Sequence, residues 1–213
     1  MITGAASLWD KFDRMRGASG FLTPAELLEL ADSGSVVLDP FSVILSKHVT
    51  IGPGNLFYPG VVIECDDESH CVIGGDNVFH GGTRIAASAG GSITIGDRSV
   101  IGEGGAQIKS TTADSEVSIG DGVRIANGAE LLGRSRVGTG CQILGPISAR
   151  SVSLADGATH AHPNPDRRGA VLKGFGRAQD IRLGVGEVIN GAGDFGSAPV
   201  ERQRVYHPLA PNS

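Results

Sequence analysis

An aliphatic residue followed by glycine or another small residue returns every six positions over most of this chain, and that spacing restricts the fold more than any other feature. Ile51-Gly52, Phe57 and Ile63 form one set, and Ile73-Gly74, Phe79-His80 and Ile85 form the next. Ile95-Gly96, Ile101-Gly102 and Gln107 follow, then Ile119-Gly120, Ile125-Ala126 and Leu131, then Val137-Gly138 and Ile143-Leu144. The fifth place of each six is small or β-branched, as at Asn77, Thr83, Ser99, Gly105, Val123, Ala129, Ser135 and Cys141. Neither a helical period of 3.6 nor strand alternation yields one aliphatic in six. A chain that lays down a short strand, turns, and repeats this three times before stacking on itself does place one side chain per six at an axis. The expected fold is therefore an all-β solenoid, held by stacked Ile and Val columns worth roughly 1.5–3 kcal/mol per fully buried side chain.

These residues resemble the bacterial transferase hexapeptide-repeat superfamily. The resemblance covers about Val43 to Leu154 and resumes at Ile181-Arg182-Leu183-Gly184 through Ile189 to Phe195. "ITIGDRSVIGEGGAQI" and "VSIGDGVRIANGAELLG" each satisfy the repeat several times. It implies a single-stranded left-handed parallel β-helix; the hand comes from the resemblance alone, since crossovers are otherwise nearly always right-handed. "GVGEVINGAGDF" reads as one more coil, with Val185, Ile189 and Phe195 turned inward.

Equivalent aliphatics at 51, 73, 95, 119 and 137 are separated by 22, 22, 24 and 18 residues. If 18 is the plain coil, the extra 4, 4 and 6 residues enter after the third face, around Asp66 to His70, Ala86 to Ser92 and Thr111 to Glu116. They should stack into a ridge at one corner, which either covers strand edges or walls a site. The solenoid ends need plugs. "TPAELLELADSG" supplies a capping helix, with Thr23 as N-cap, Pro24 in the first turn, Glu26 completing a capping box and Gly34 near the stop. The expected organisation is a helical cap over 1–42, a β-helix with corner insertions and a basic loop near 160–180 over 43–196, and an extended C-terminal tail over 197–213.

The formal charge of −5 and a pI near 5.6 give no global reason to expect nucleic-acid or membrane-surface binding. No apolar run approaches the roughly 20 residues needed to cross a bilayer, and "MITGAASLWDKF" lacks the basic start and apolar middle of a secretory signal. A cytoplasmic location without membrane insertion is the default expectation. Cys65, Cys71 and Cys141 are an odd count without CxxC or CxxH spacing, so reduced, buried thiols are expected rather than a disulfide framework or a thiolate zinc site.

The chemistry turns on histidine. The superfamily includes zinc-dependent γ-class carbonic anhydrases, and "FHGGT" is similar to the "LHGCT" stretch that carries one of their ligands. In that motif a second histidine lies five residues earlier, where this chain has Gly75. The stacked neighbours are Pro53 and Tyr58 on one side and Asp97 and Gly102 on the other. With His48 and His70 the only other imidazoles that could contribute, no metal is expected. The larger branch of the superfamily uses acetyl-CoA or another acyl-CoA to acylate a hydroxyl or amine, and implies a homotrimer acting on a small sugar or amine acceptor. Such transfer needs a base near neutrality. The candidates are His80, directed outward at a corner, and the pair His160 and His162 in "ATHAHPNPDRRG", whose alternation puts both rings on one side if the segment is extended. The phosphates of CoA need local positive charge. Arg167, Arg168, Lys173 and Arg177, with Arg182 beyond them, provide it among glycines in "PDRRGAVLKGFGRAQDIR". Glu103, Glu130 and Asp97 are candidates to orient an imidazole. The alternative to an enzyme is a non-catalytic β-helix scaffold.

Overall fold

The computed structural model describes residues 7–207. Three columns of short parallel strands wind through it as a β-solenoid. The first column begins at Val36–Val37 and continues through Leu56–Phe57, Val78–Phe79, Val100–Glu103, Arg124–Ala126 and Gln142–Leu144. The second begins at Ile44–Leu45, and the third is a 7-stranded sheet from Val49–Ile51 to Arg182–Leu183. Equivalent residues of successive coils are register partners, so inward positions stack on their own kind: Phe57 on Phe79, Ile63 on Ile85, Ile73 on Ile95. The two phenyl rings are stacked with centroids 5.2 Å apart and planes nearly parallel, both fully buried. Strand pairing starts at Val36, ahead of the hexapeptide pattern.

Two hydrogen-bonded ladders explain the small polar residues of the repeat. Inside, the Asn77 N–H donates to Asn55 Oδ1 at 2.9 Å, Ser99 N–H to Asn77 Oδ1 at 2.8 Å, and Val123 N–H to Ser99 Oγ at 3.0 Å. These side chains are buried, and each satisfies a backbone donor of the next coil that would otherwise be orphaned in the core. Nearer the surface, Asp97 Oδ1 accepts from Gly75 N–H (2.7 Å), Asp121 Oδ1 from Asp97 N–H (2.9 Å) and Asp156 Oδ1 from Thr139 N–H (2.9 Å).

The three insertions meet at the corner between the second and third columns. Asp66 Oδ2 accepts from Ala89 N–H at 2.9 Å, and Arg134 Nε donates to Asp114 O at 2.7 Å, so each loop is tied to the next coil. One extra residue enters elsewhere. The register shifts between Ile101 and Glu103, so Ile108, not Gln107, fills the inward place beside Ile85 and Leu131. A bulge at Gly102, φ +91, accounts for this correction.

Both ends are closed. Helix α2 (Pro24–Glu29) carries the reciprocal Thr23/Glu26 capping box and buries Leu27 fully. Gly34 ends the following turn at φ +78. A second helix, α1 (Leu8–Ala18), which the sequence reading missed, is fastened by the Arg16 guanidinium to the carbonyls of Leu22, Pro40 and Phe41. At the other end Phe195 is fully buried against Gly191. Ile189 also points inward, whereas Val185 is exposed, contrary to the reading of that coil.

The region read as a basic loop contains a nine-residue strand, Val171–Gln179. Its first half pairs with Gln142–Leu144 in the first column and its second half with Ile147–Arg150 in the second, so it crosses a corner without a break. Glu187–Asp194 follows it in parallel. The crossing brings backbones very close: a Cβ at Gly145 would collide with the Gly174 carbonyl oxygen, and one at Gly174 with that of Gly191. Gly145 and Gly174, at φ +123 and +111, occupy conformations that side chains rarely adopt. Among the described residues no helix is long and apolar enough to cross a membrane.

Candidate functional site

At its C-terminal end the first column carries a cavity of about 480 Å³ on its outer surface. The floor is made by outward positions of successive strands, Arg124 and Gln142 in one row and Leu144, Lys173 and Asn190 in the next. One wall is the segment between Leu154 and Val171, which contributes His160 and Arg168. The opposite wall is Gln203, Tyr206 and His207.

The first wall is shaped by its own polar groups. Asp156 anchors its start by accepting from Thr139 N–H and pairing with Arg136 at 2.5 Å. His160 and Ala161 form a turn closed by His162 N–H on Thr159 O (3.0 Å), so the segment is not extended and the two imidazoles do not share a side. His162 Nδ1 accepts from Asn164 N–H at 3.1 Å, and its carbonyl accepts Arg168 Nε at 2.8 Å. It braces the wall, while exposed His160 lines the cavity.

The second wall is the C-terminal tail, packed back along the solenoid. From Phe195 the chain turns, pairs antiparallel at Glu201–Arg202 with Glu187–Val188, and packs back on the solenoid. Gln203 is buried and donates to Gly169 O at 2.7 Å, and Arg204 Nε lies 2.8 Å from Asp166 Oδ2. Residues 208–213 lie outside the described residues. The Tyr206 hydroxyl donates a hydrogen bond to Glu201, and that bond raises the phenol above its ordinary pKa. The Lys173 ammonium sits 4.6 Å above the Tyr206 ring, a cation–π contact.

Of the basic residues singled out in the sequence, the structure brings Arg168 and Lys173 to the cavity. Arg177 is on the same strand as Lys173 but past the corner, on the next face, and exposed Arg167 is not in the lining. Among the described residues, neither Arg168 nor Lys173 has a carboxylate within ion-pair distance. Arg124 does: its Nε donates to Glu103 at 2.9 Å, and this guanidinium holds the Glu103 carboxyl below its ordinary pKa, with a lesser contribution from His80.

His80 occupies the same outward row as Leu144 and Lys173 but four strand spacings away from Lys173, roughly 19 Å at about 4.8 Å per strand. Its ring stacks on Tyr58 at 4.7 Å. His48 and His70 flank the corner between the second and third columns, and His80 the corner between the first and second, so the three imidazoles do not converge. Among the described residues no three His, Cys, Asp or Glu side chains gather as metal ligands. The three cysteines are free and buried, and burial pushes the Cys71 and Cys141 thiols up to about 12.

Arg124, Gln142, Asn190, Tyr206 and His207 were missed. Arg124 and Gln142 had a readable signal, each standing just before an inward isoleucine of the first column where Val78 and Val100 stand in earlier coils. Tyr206 and His207 had none, because only the fold returns that segment to the column. No protein-family model and no curated protein matches this chain.

Proposed function

We propose that the chain is a left-handed β-helix protein of the hexapeptide-repeat type that transfers an acyl group from acyl-CoA to a hydroxyl or amine of a small molecule, working as a homotrimer. The observation that carries this reading is the cavity in which Arg168 and Lys173 stand, among the described residues, without carboxylate partners beside His160. Two unpaired cations in a partly enclosed space are suited to phosphate oxygens, and charge-assisted hydrogen bonds there are worth about 1.5–3 kcal/mol each. His160 serves as base. The acceptor oxygen or nitrogen bonds to the thioester carbonyl carbon as the imidazole takes its proton; the C–S bond breaks, and the departing thiolate receives that proton. Ester or amide and free CoA are the products.

Calorimetry tests the reading directly. CoA and acetyl-CoA are expected to bind, and Lys173→Met to weaken both; absence of binding at millimolar ligand rejects it. For the assembly, light scattering at micromolar concentration is expected to read three times the 21.8 kDa chain. One feature favours a non-catalytic scaffold instead: among the described residues no carboxylate is hydrogen-bonded to His160 to orient its imidazole. A protein that neither binds CoA nor releases thiol from acetyl-CoA with any acceptor is that scaffold.

A further inference from the structure

A second cavity, of about 270 Å³, adjoins the first, and both have Arg124 and His160 in their linings. We propose that these are the two substrate chambers of one site, with His160 on the shared wall, and that the smaller chamber takes an uncharged, hydroxyl-bearing acceptor. This rests on the acyl-transfer reading above, which leaves open both where the acceptor binds and whether it is an alcohol or an amine.

The two chambers differ in how their charges are already used. In the larger one Arg168 and Lys173 face no carboxylate among the described residues. In the smaller one every charged group has a partner. Arg98 lies 3.2 Å from Asp121 Oδ2 and 3.8 Å from Asp97 Oδ2, and Arg124 is bonded to Glu103. Asp121 Oδ1 accepts the Asp97 N–H. An anionic acceptor would have to displace Glu103 or Asp121 from its arginine, and an ammonium would have to displace Arg98 from Asp121. Each leaves a charge unpaired.

A neutral alcohol displaces nothing. It meets the hydroxyls of Thr139 and Thr159, the imidazole of His160, and apolar surface from Val100 and Val123. Thr139 Oγ1 accepts from Asp121 N–H at 3.3 Å, which leaves its proton free to be donated. The roof is tightly seated, since a Cβ on Gly122 would come within 3.0 Å of Thr159 Cγ2. An acceptor oxygen beside His160 faces the larger chamber, where the acyl donor is placed, so the reaction is O-acylation.

The test uses the full-length protein, acetyl-CoA, and neutral alcohols and monosaccharides, each matched by its amino and phosphorylated counterpart; thiol release is followed with a chromogenic disulfide. The protein's own three thiols are buried and contribute little background. Neutral hydroxyl compounds are expected to turn over in preference to both counterparts. Thr159→Trp, which fills the smaller chamber, is expected to raise the acceptor KM about tenfold and leave the acetyl-CoA KM nearly unchanged, while Leu144→Trp, in the larger chamber, does the reverse. Asp121→Asn keeps the acceptor for Asp97 N–H but removes the nearer of the two carboxylates beside Arg98, and is expected to shift preference toward the phosphorylated alcohols. If both tryptophan variants move the two KM values together, the division into chambers is overturned, and if the unaltered protein prefers amines or phosphorylated alcohols, the acceptor class is overturned, while the transferase reading stands in either case. CoA binding without turnover of any neutral hydroxyl compound overturns the acceptor class. Failure to bind CoA rejects the transferase reading, and this inference with it.

Discussion

His80 and His160 lie beside the same column of strands, yet the backbone beneath them is different in kind. His80 follows a regular two-residue strand whose inward partner is stacked above and below, and its ring lies on that of Tyr58 one coil away. His160 is in a turn that departs from the repeat altogether, on a wall held by Asp156, Asn164 and Arg168. A regular coil offers a side chain only its own row of neighbours, spaced about 4.8 Å apart on an open surface. An irregular excursion places a side chain over that row and encloses space. In this molecule the repeat supplies the floor and the exceptions supply the walls.

The contrast can be broken most forcefully in the repeat. Phe79→Ala removes a fully buried ring stacked on Phe57 and is expected to cost about 3–5 kcal/mol in urea unfolding. A loss below about 1 kcal/mol would mean that the stacked column does not carry the stability assigned to it. In the cleft the expectation reverses: Lys173→Met should change unfolding by less than about 0.5 kcal/mol and weaken CoA binding by about 10- to 100-fold, read by calorimetry.

Acid sharpens the comparison at the anchor of the irregular wall. Arg136 first, and the Thr139 N–H after it, hold the Asp156 carboxyl below its ordinary value of 3.8. The folded pKa is thus lower than the unfolded one. The stabilisation is complete above the unfolded value and is lost as pH falls through the folded value. Unfolding free energy is therefore expected to decline below about pH 4, with a shallower decline in Asp156→Asn, which keeps an acceptor for Thr139 but not the charge. At His80 the expected effect is confined to stability: its replacement by alanine removes one ring stack, costs about 0.5–1.5 kcal/mol, and leaves CoA affinity unchanged.

Much of the solenoid was legible because its information is local and repeated. The inward Ile and Phe positions, the Thr23/Glu26 cap and the insertion corner could all be read from spacing. The exceptions trace to particular residues. Gln107 was placed inward because nothing in the six-residue count marks Gly102 as a bulge. Val171–Gln179 was read as a loop because Gly174 and Gly176, which allow a strand to cross the corner unbroken, look in sequence like breaks. His162 looked equivalent to His160 until a turn separated them. Tyr206 and His207 reach the cavity through pairing with Glu187–Val188, a contact between segments that no local pattern encodes.

The glycine stack at 145, 174 and 191 bears on how such a molecule can change. Gly145 and Gly174 each exclude a side chain because of the next glycine's carbonyl, and Gly191 because of the Phe195 ring, so replacing one gains nothing unless its neighbour moves as well. The edge of the cleft beside Lys173 is thereby frozen, whereas the turn at His160 and the returning segment at Tyr206 present side chains to the cavity that can be exchanged one at a time. Descendants of this sequence that acquire a new ligand would be expected to vary there first, on an unaltered floor.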